Sequence, residues 1–240
     1  MIKDSLNLNP INTGIVGGIG LRYMLDNTLQ YVKRGDIVIV APEYGRFYVK
    51  TGECLSPLLR TILDVKKSDI RFLRWRQYFS FITGLPTYVF SKFRLREYVF
   101  FSESDVYGVD SFNEYGDASA HWNLKRRDFF PYKKSPDEGF NDAILQDLKA
   151  FEEGVKDRGA IMMVSYPGLQ DISFENIFEK VARVEKEYTK AGFRILGSPH
   201  RYKMPDSLMF DTPYHLSKRG VDRRTALFIE DFKSARQLSY

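Results

Sequence analysis

Apolar positions along most of this chain follow two alternating periods. Leu21, Met24, Leu25, Leu29 and Val32 recur every three or four residues and predict a helix closed by Arg34-Gly35. Asp36 to Pro42 contains the β-branched run Ile37-Val38-Ile39-Val40, the pattern of a strand buried on both faces of a parallel sheet. Upstream, Ile11 to Gly20 reads as a short strand running into a glycine-rich turn, which makes the opening a βαβ unit. The same rhythm returns in the second half. Ser135-Pro136-Asp137-Glu138 reads as an N-cap, a first-turn proline and a capping-box acid for a helix with Phe140, Ile144, Leu145, Leu148, Phe151 and Val155 inward. Ala160 to Ser165 is a strand, and Ser173 caps a helix carrying Phe174, Ile177, Phe178, Val181, Val184 and Tyr188. Phe193 to Leu196 is a last central strand. Ser207 to Phe210 is a short apolar strand leading into a polar loop, and Ser217 caps a final helix built on Val221, Thr225, Phe228 and Phe232. Strands and helices alternating through short loops predict an α/β domain with a mostly parallel sheet covered on both faces.

Two stretches break the rhythm. Between Leu55 and Phe101, aromatics from Phe72 and Trp75 to Phe100 and Phe101 are interleaved with Arg71, Arg74, Arg76, Lys92, Arg94 and Arg96. This predicts an inserted helical pair broken at Gly84-Leu85-Pro86, its aromatics packed on the sheet and its cations reaching water. A membrane-surface or partner-docking element is the second reading of that segment, and stacking on single-stranded nucleic acid the third. Ser102 to Lys134 is polar and irregular, a long loop of the kind that lines sites, with Asp117 and His121 as candidate pocket liners.

Composition narrows the function classes. The 240 residues carry no Ser/Gly/Pro-rich linker, so a single domain spanning 1–240 is expected. The net charge of +5 is a mild excess spread along the chain, a weak argument for nucleic acid, and no nucleic-acid partner is expected. Cys54 is the single cysteine, so neither an internal disulfide nor a cysteine-based metal site is expected. No run of apolar residues reaches membrane-spanning length, and the first residues lack the apolar core of a signal peptide. The chain reads as soluble; its compartment is not legible.

Candidate chemistry centres on Asp211-Thr212-Pro213-Tyr214-His215. Pro213 rules out a continuous helix through the loop, so His215 should sit at the mouth of the helix that Ser217 caps. An imidazole with an aspartate nearby is what a general base requires: a partner that fixes its tautomer and steadies the imidazolium. The alternative is a surface histidine in a loop. Gly14, Gly17, Gly18 and Gly20 lie where an open α/β sheet places its ligand, but their spacing is not Gly-x-Gly-x-x-Gly, and no cofactor is expected. His200, which follows the Phe193–Leu196 strand, ranks below His215 because no acid lies close to it in sequence.

Together these elements resemble the SGNH (GDSL-type) hydrolase superfamily of esterases and acyltransferases, and more narrowly its envelope-associated members linked to polysaccharide acylation. The resemblance runs from about Ile11 to Tyr240 outside the aromatic insertion. It is carried by Asn12-Thr13-Gly14-Ile15-Val16-Gly17, similar to the family's second block, by Asp36 to Glu43, similar to its third, and by Asp211 to His215, similar to its last. It implies a flavodoxin-like three-layer α/β/α fold. It also implies His215 as general base, Asp211 as its orienting acid and Gly17 as an oxyanion donor. The substrate implied is an acylated carbohydrate or small ester, in the cell envelope or periplasm.

Three departures qualify that expectation. The acid stands four residues before the histidine, with Thr212 at the family's usual place. Glu43 follows the third-block strand where the family supplies an asparagine; an ionised carboxylate only accepts hydrogen bonds, so Glu43 is expected to bind a cation or a substrate hydroxyl instead, or to donate if burial raises its pKa. No strand ending in a nucleophilic serine precedes the glycine block. Ser5, in Lys3-Asp4-Ser5-Leu6, has no strand leading to it and reads as a surface residue. The expectation is thus an esterase or O-acyltransferase domain that is truncated or catalytically impaired. The alternative is a non-catalytic carbohydrate-binding or scaffold domain, with a homo-oligomer or membrane-surface contact through the aromatic, basic segment.

Overall fold

The structure is a computed structural model that describes residues 1–14, 17–49, 56–93, 106 and 109–237. It is a mixed α/β protein with two short parallel strand pairs. Strands β1 (Ile37–Val40) and β2 (Ile161–Val164) pair in parallel with Ile37 opposite Ile161 and Val40 opposite Val164. A parallel bridge from Val164 to Ile195 extends the pairing on the far side of β2, where Val164 N–H donates to Arg194 and Leu196 N–H to Val164. The expected Phe193–Leu196 strand is thus reduced to one bridged position. Strands β3 (Leu169–Gln170) and β4 (Lys203–Met204) form the second pair.

Among the described residues the helices are α1 (Ile2–Leu6), α2 (Leu21–Leu29), α3 (Ser56–Arg60), α4 (Trp75–Lys92), α5 (Asp142–Asp157), α6 (Asp171–Asn176), α7 (Phe178–Lys190) and α8 (Lys218–Gln237). Faces of α5, α7 and α8 close on β2: Leu148, Val155, Val181, Val184, Tyr188, Phe228 and Phe232 join Met162 and Val164 in one buried cluster. Strand β1 is less enclosed than a doubly covered strand, with Ile37, Val38 and Ile39 half-buried and only Val40 buried. Among the described residues it is paired on one side alone.

Several sequence expectations are corrected. Ile11–Gly14 is neither strand nor helix, and Ile15 and Val16 lie outside the described residues. Here the Asn12 side chain takes over the backbone's bonding: its Oδ1 accepts from Gly14 N–H at 2.9 Å and its Nδ2 donates to Asp117, while its own N–H goes to Tyr115. The helix expected from Ser135 begins at Asp142, capped by Asn141. Gly139 adopts φ 74°, and the would-be capping groups are engaged elsewhere, Ser135 by Lys180 and Asp137 by Tyr48. The single helix expected from Ser173 is two, α6 and α7, interrupted at Ile177. Ser207–Phe210 is a tight turn over Asp206–Leu208 followed by one bridge, Met209 to Leu216.

The described part of the aromatic insertion packs on α2 and the Gly17–Ile19 turn instead of on the sheet, while Arg94, Arg96, Phe100 and Phe101 lie outside the described residues. Leu58, Leu59, Ile62, Leu73 and Phe81 bury Ile19 and Tyr23 in a second, separate cluster. Helix α4 runs unbroken through Gly84 and Pro86. Gly84 allows the close approach: a Cβ there would lie 2.9 Å from the Leu59 side chain. Asp147 of α5 anchors the insertion to the main body, accepting from Arg22 of α2 at 2.7 Å and from Arg74 at the start of α4. No helix among the described residues is long and apolar enough to cross a membrane. Cys54 lies outside the described residues.

Candidate functional site

The Met209–Leu216 bridge closes a short hairpin loop, with Phe210 N–H donating to the His215 carbonyl at 2.7 Å. Inside it, Thr212 Oγ1 accepts from His215 N–H at 3.0 Å and from Tyr214 N–H at 3.3 Å. That turn folds His215 back over Asp211, and His215 Nδ1 lies 2.7 Å from Asp211 Oδ1. A carboxylate can only accept, so Nδ1 carries the proton. The extra residue between acid and histidine is therefore accommodated: Thr212 makes the turn, and Asp211 reaches the ring from one place further back. Asp211 is largely buried while the His215 side chain is 40% exposed, so the acid is fixed in the protein and the imidazole opens to solvent.

Two further groups hold this loop. Ser217 caps α8 as expected, accepting weakly from Gly220 N–H and donating its hydroxyl to the Leu208 carbonyl. His121 is buried beneath the loop and bonds through Nε2 to the Leu216 carbonyl at 3.0 Å, its ring against Phe210. His121 is thus a structural prop for the loop, and Asp117 is occupied by Asn12. His200 stacks on Phe174 and Phe178 with centroids 5.0 and 5.8 Å away. Ser5 is exposed on α1.

Gly17 and Glu43 are brought together by a residue that sequence reasoning missed. Arg46 donates to the Gly17 carbonyl at 2.8 Å and to the Glu43 carboxylate at 3.3 Å. Glu43 is thus engaged in an ion pair within the chain. The contact also explains the glycine: a Cβ at position 17 would fall 1.9 Å from the Arg46 guanidinium. The signal was present as a cation three residues after the acid, within the turn that follows β1.

Tyr214 joins the two sets. Its hydroxyl accepts from Tyr44 N–H at 3.0 Å, tying the turn that follows Glu43 to the loop that carries His215. Burial, with the nearby Tyr132 and the negative charge of Glu43, holds the Tyr214 hydroxyl well above its ordinary pKa, so it stays protonated. Burial and Glu43 raise Tyr132 likewise. Beside them opens a cleft of about 250 Å³, lined by Tyr44, Tyr48, Tyr132, Lys133, Lys180 and Tyr214 among others. Lys180 lies over the Tyr48 ring and donates to Ser135. The stretch read as a helix start is thus part of the cleft's rim. Among the described residues, no three His, Cys, Asp or Glu side chains gather as a metal site would require.

The arrangement offers an imidazole held through Nδ1 by a largely buried acid and, at the neighbouring residue Tyr214, one wall of an aromatic cleft with cationic edges. No protein-family model, no curated protein and no solved structure matches this chain.

Proposed function

We propose that this chain carries the acid–base apparatus of an SGNH-type ester hydrolase or O-acyltransferase acting on an acylated carbohydrate, on a flavodoxin-like arrangement of layers. The observation that carries this reading is the 2.7 Å contact between His215 Nδ1 and Asp211, formed across a loop whose spacing departs from the family's. In this reading His215 Nε2 takes the proton of an attacking hydroxyl, and Asp211 steadies the imidazolium that forms. The resemblance assigns the attack to a serine upstream of the glycine block; none of this chain's serines is assigned that role. The parallel order of β1, β2 and Ile195, with α5, α7 and α8 closing on β2, supports the layered fold. The tyrosine-lined cleft supports a sugar, whose ring faces pack on aromatic surfaces while its hydroxyls need polar edges.

A second reading keeps the cleft without the chemistry: a carbohydrate-binding or scaffold domain of the same descent. Hydrolysis of a small aryl acetate separates the two. Catalysis predicts turnover that falls at least about 100-fold in His215→Ala, the usual contribution of a positioned general base. Turnover that survives that change excludes the site. Absent turnover together with oligosaccharide binding that is lost in Tyr132→Ala selects the binding domain, and absence of both overturns the two readings together.

A further inference from the structure

Helix α4 presents three faces. Phe81, Gly84, Leu85 and Tyr88 turn toward the protein, where Phe81 is buried and Leu85 and Tyr88 are partly covered. Ser80, Thr83, Thr87 and Ser91 form a strip of hydroxyls. The remaining face is apolar and open: Trp75, Phe79, Ile82, Phe90 and Phe93 are 77, 73, 61, 73 and 75% exposed, with Val89 and Pro86 exposed between them. At about 100° per residue these side chains fall within a stripe roughly 100° wide along the whole helix. An exposed apolar patch of this size on a folded protein marks an interaction surface.

Charge identifies the partner. Residues 66–93 contain six Lys and Arg against Asp69 alone, a net of 6 − 1 = +5, equal to the charge of the whole chain. The rest of the chain is therefore 5 − 5 = 0, and the excess noted along the sequence is concentrated here. Within it, Lys92 pairs with Asp64 and Arg74 with Asp147. Lys67 has no ion-pair partner among the described residues, and Arg71 donates to the neutral Gln30. Helix α4 itself contains no acidic residue. A second copy docking on this face would set like charges against each other, while an anionic bilayer supplies the missing negative charge and suits tryptophan and phenylalanine beside cations.

We propose that the exposed face of α4 lies flat on an anionic lipid surface. The helix lies on the bilayer and does not cross it, since its inner face is held by the protein. Pro86 also lacks the N–H that would otherwise bond the Ile82 carbonyl; at the headgroup level that carbonyl stays hydrated, whereas hydrocarbon would leave it unpaired. This proposal is independent of the acyl chemistry above.

Co-sedimentation of the chain with vesicles tests it, using phosphatidylcholine alone and phosphatidylcholine containing about a quarter phosphatidylglycerol. Binding should be at least about ten-fold tighter to the anionic vesicles and should weaken as salt rises. The double variant Phe79→Ser/Phe90→Ser should lose about ten-fold or more, since each ring withdraws apolar area from the interface. Lys67→Gln/Arg71→Gln, at exposed positions that leave folding intact, should weaken binding to anionic vesicles and leave neutral ones unchanged. Absent binding, equal binding to the two vesicle types, or a dimer in light scattering that dissociates in the Phe79/Phe90 variant would each overturn the assignment.

Discussion

Asp147→Asn tests how the aromatic insertion is held to the α/β body. One carboxylate oxygen accepts from both Arg22 and Arg74, while Oδ2 is buried without a hydrogen-bond partner. A hydrogen bond to a charged group contributes about 1.5–3 kcal/mol when enclosed. The two arginines are 35 and 37% exposed, so screening reduces each contact to about 1 kcal/mol. The asparagine amide must then either place an unpaired donor where Oδ2 stood or turn its NH₂ toward the guanidinium groups, adding up to about 1 kcal/mol. The expected loss is about 2–3 kcal/mol. For 240 residues the entropy at the midpoint is about 0.5 kcal/mol/K, so Tm should fall by about 4–6 °C. Thermal unfolding followed by circular dichroism gives the Tm, and hydrogen exchange locates the effect: amides of α4 should exchange faster, those of β2 should not. A Tm within about 1 °C of wild type, or unchanged exchange in α4, would refute the anchoring role.

Asp26 gives a pH-dependent counterpart. Burial raises its carboxyl above the ordinary range despite Arg22 nearby, and the charge of Asp147 adds to the rise. A carboxyl raised in the folded state favours folding at low pH and costs stability once pH exceeds its folded value. Asp26→Asn should therefore raise Tm at pH 7, with the gain fading as pH falls toward about 4; a gain that grows on acidification would contradict the sign. Gly17→Ala should cost about 1 kcal/mol by displacing the Arg46 guanidinium, and Arg46→Gln about the same. Because both remove one contact, the double variant should cost little more than either, and full additivity in urea unfolding would show them independent.

How much of this was readable beforehand depended on whether a signal was local. The helical faces of α2, α5, α7 and α8 follow from periodicity because each buries a stripe that the sequence displays. The Asp211–His215 pair was legible for the same reason: its partners are four residues apart, and one turn decides their geometry. Failures arose where a distant partner claimed a group. Ser135 and Asp137 look like caps, but Lys180 and Tyr48 hold them. Asn12 and Tyr115 meet across about a hundred residues, and no period in the sequence announces that encounter. Proline in α4 misled for another reason. Removing one hydrogen bond ends a helix only when nothing else holds it, and here the inner face is packed on Leu59 and its neighbours.

The bond between Tyr44 N–H and the Tyr214 hydroxyl has a mechanical meaning. Tyr214 lines the cleft, and its peptide neighbour is His215. Whatever fills the cleft thus leans on the same short length of backbone that aims the imidazole, and that length is braced by β1 on one side and by the start of α8 on the other. The cleft wall and the backbone that carries the imidazole are thus one segment, joined at Tyr214.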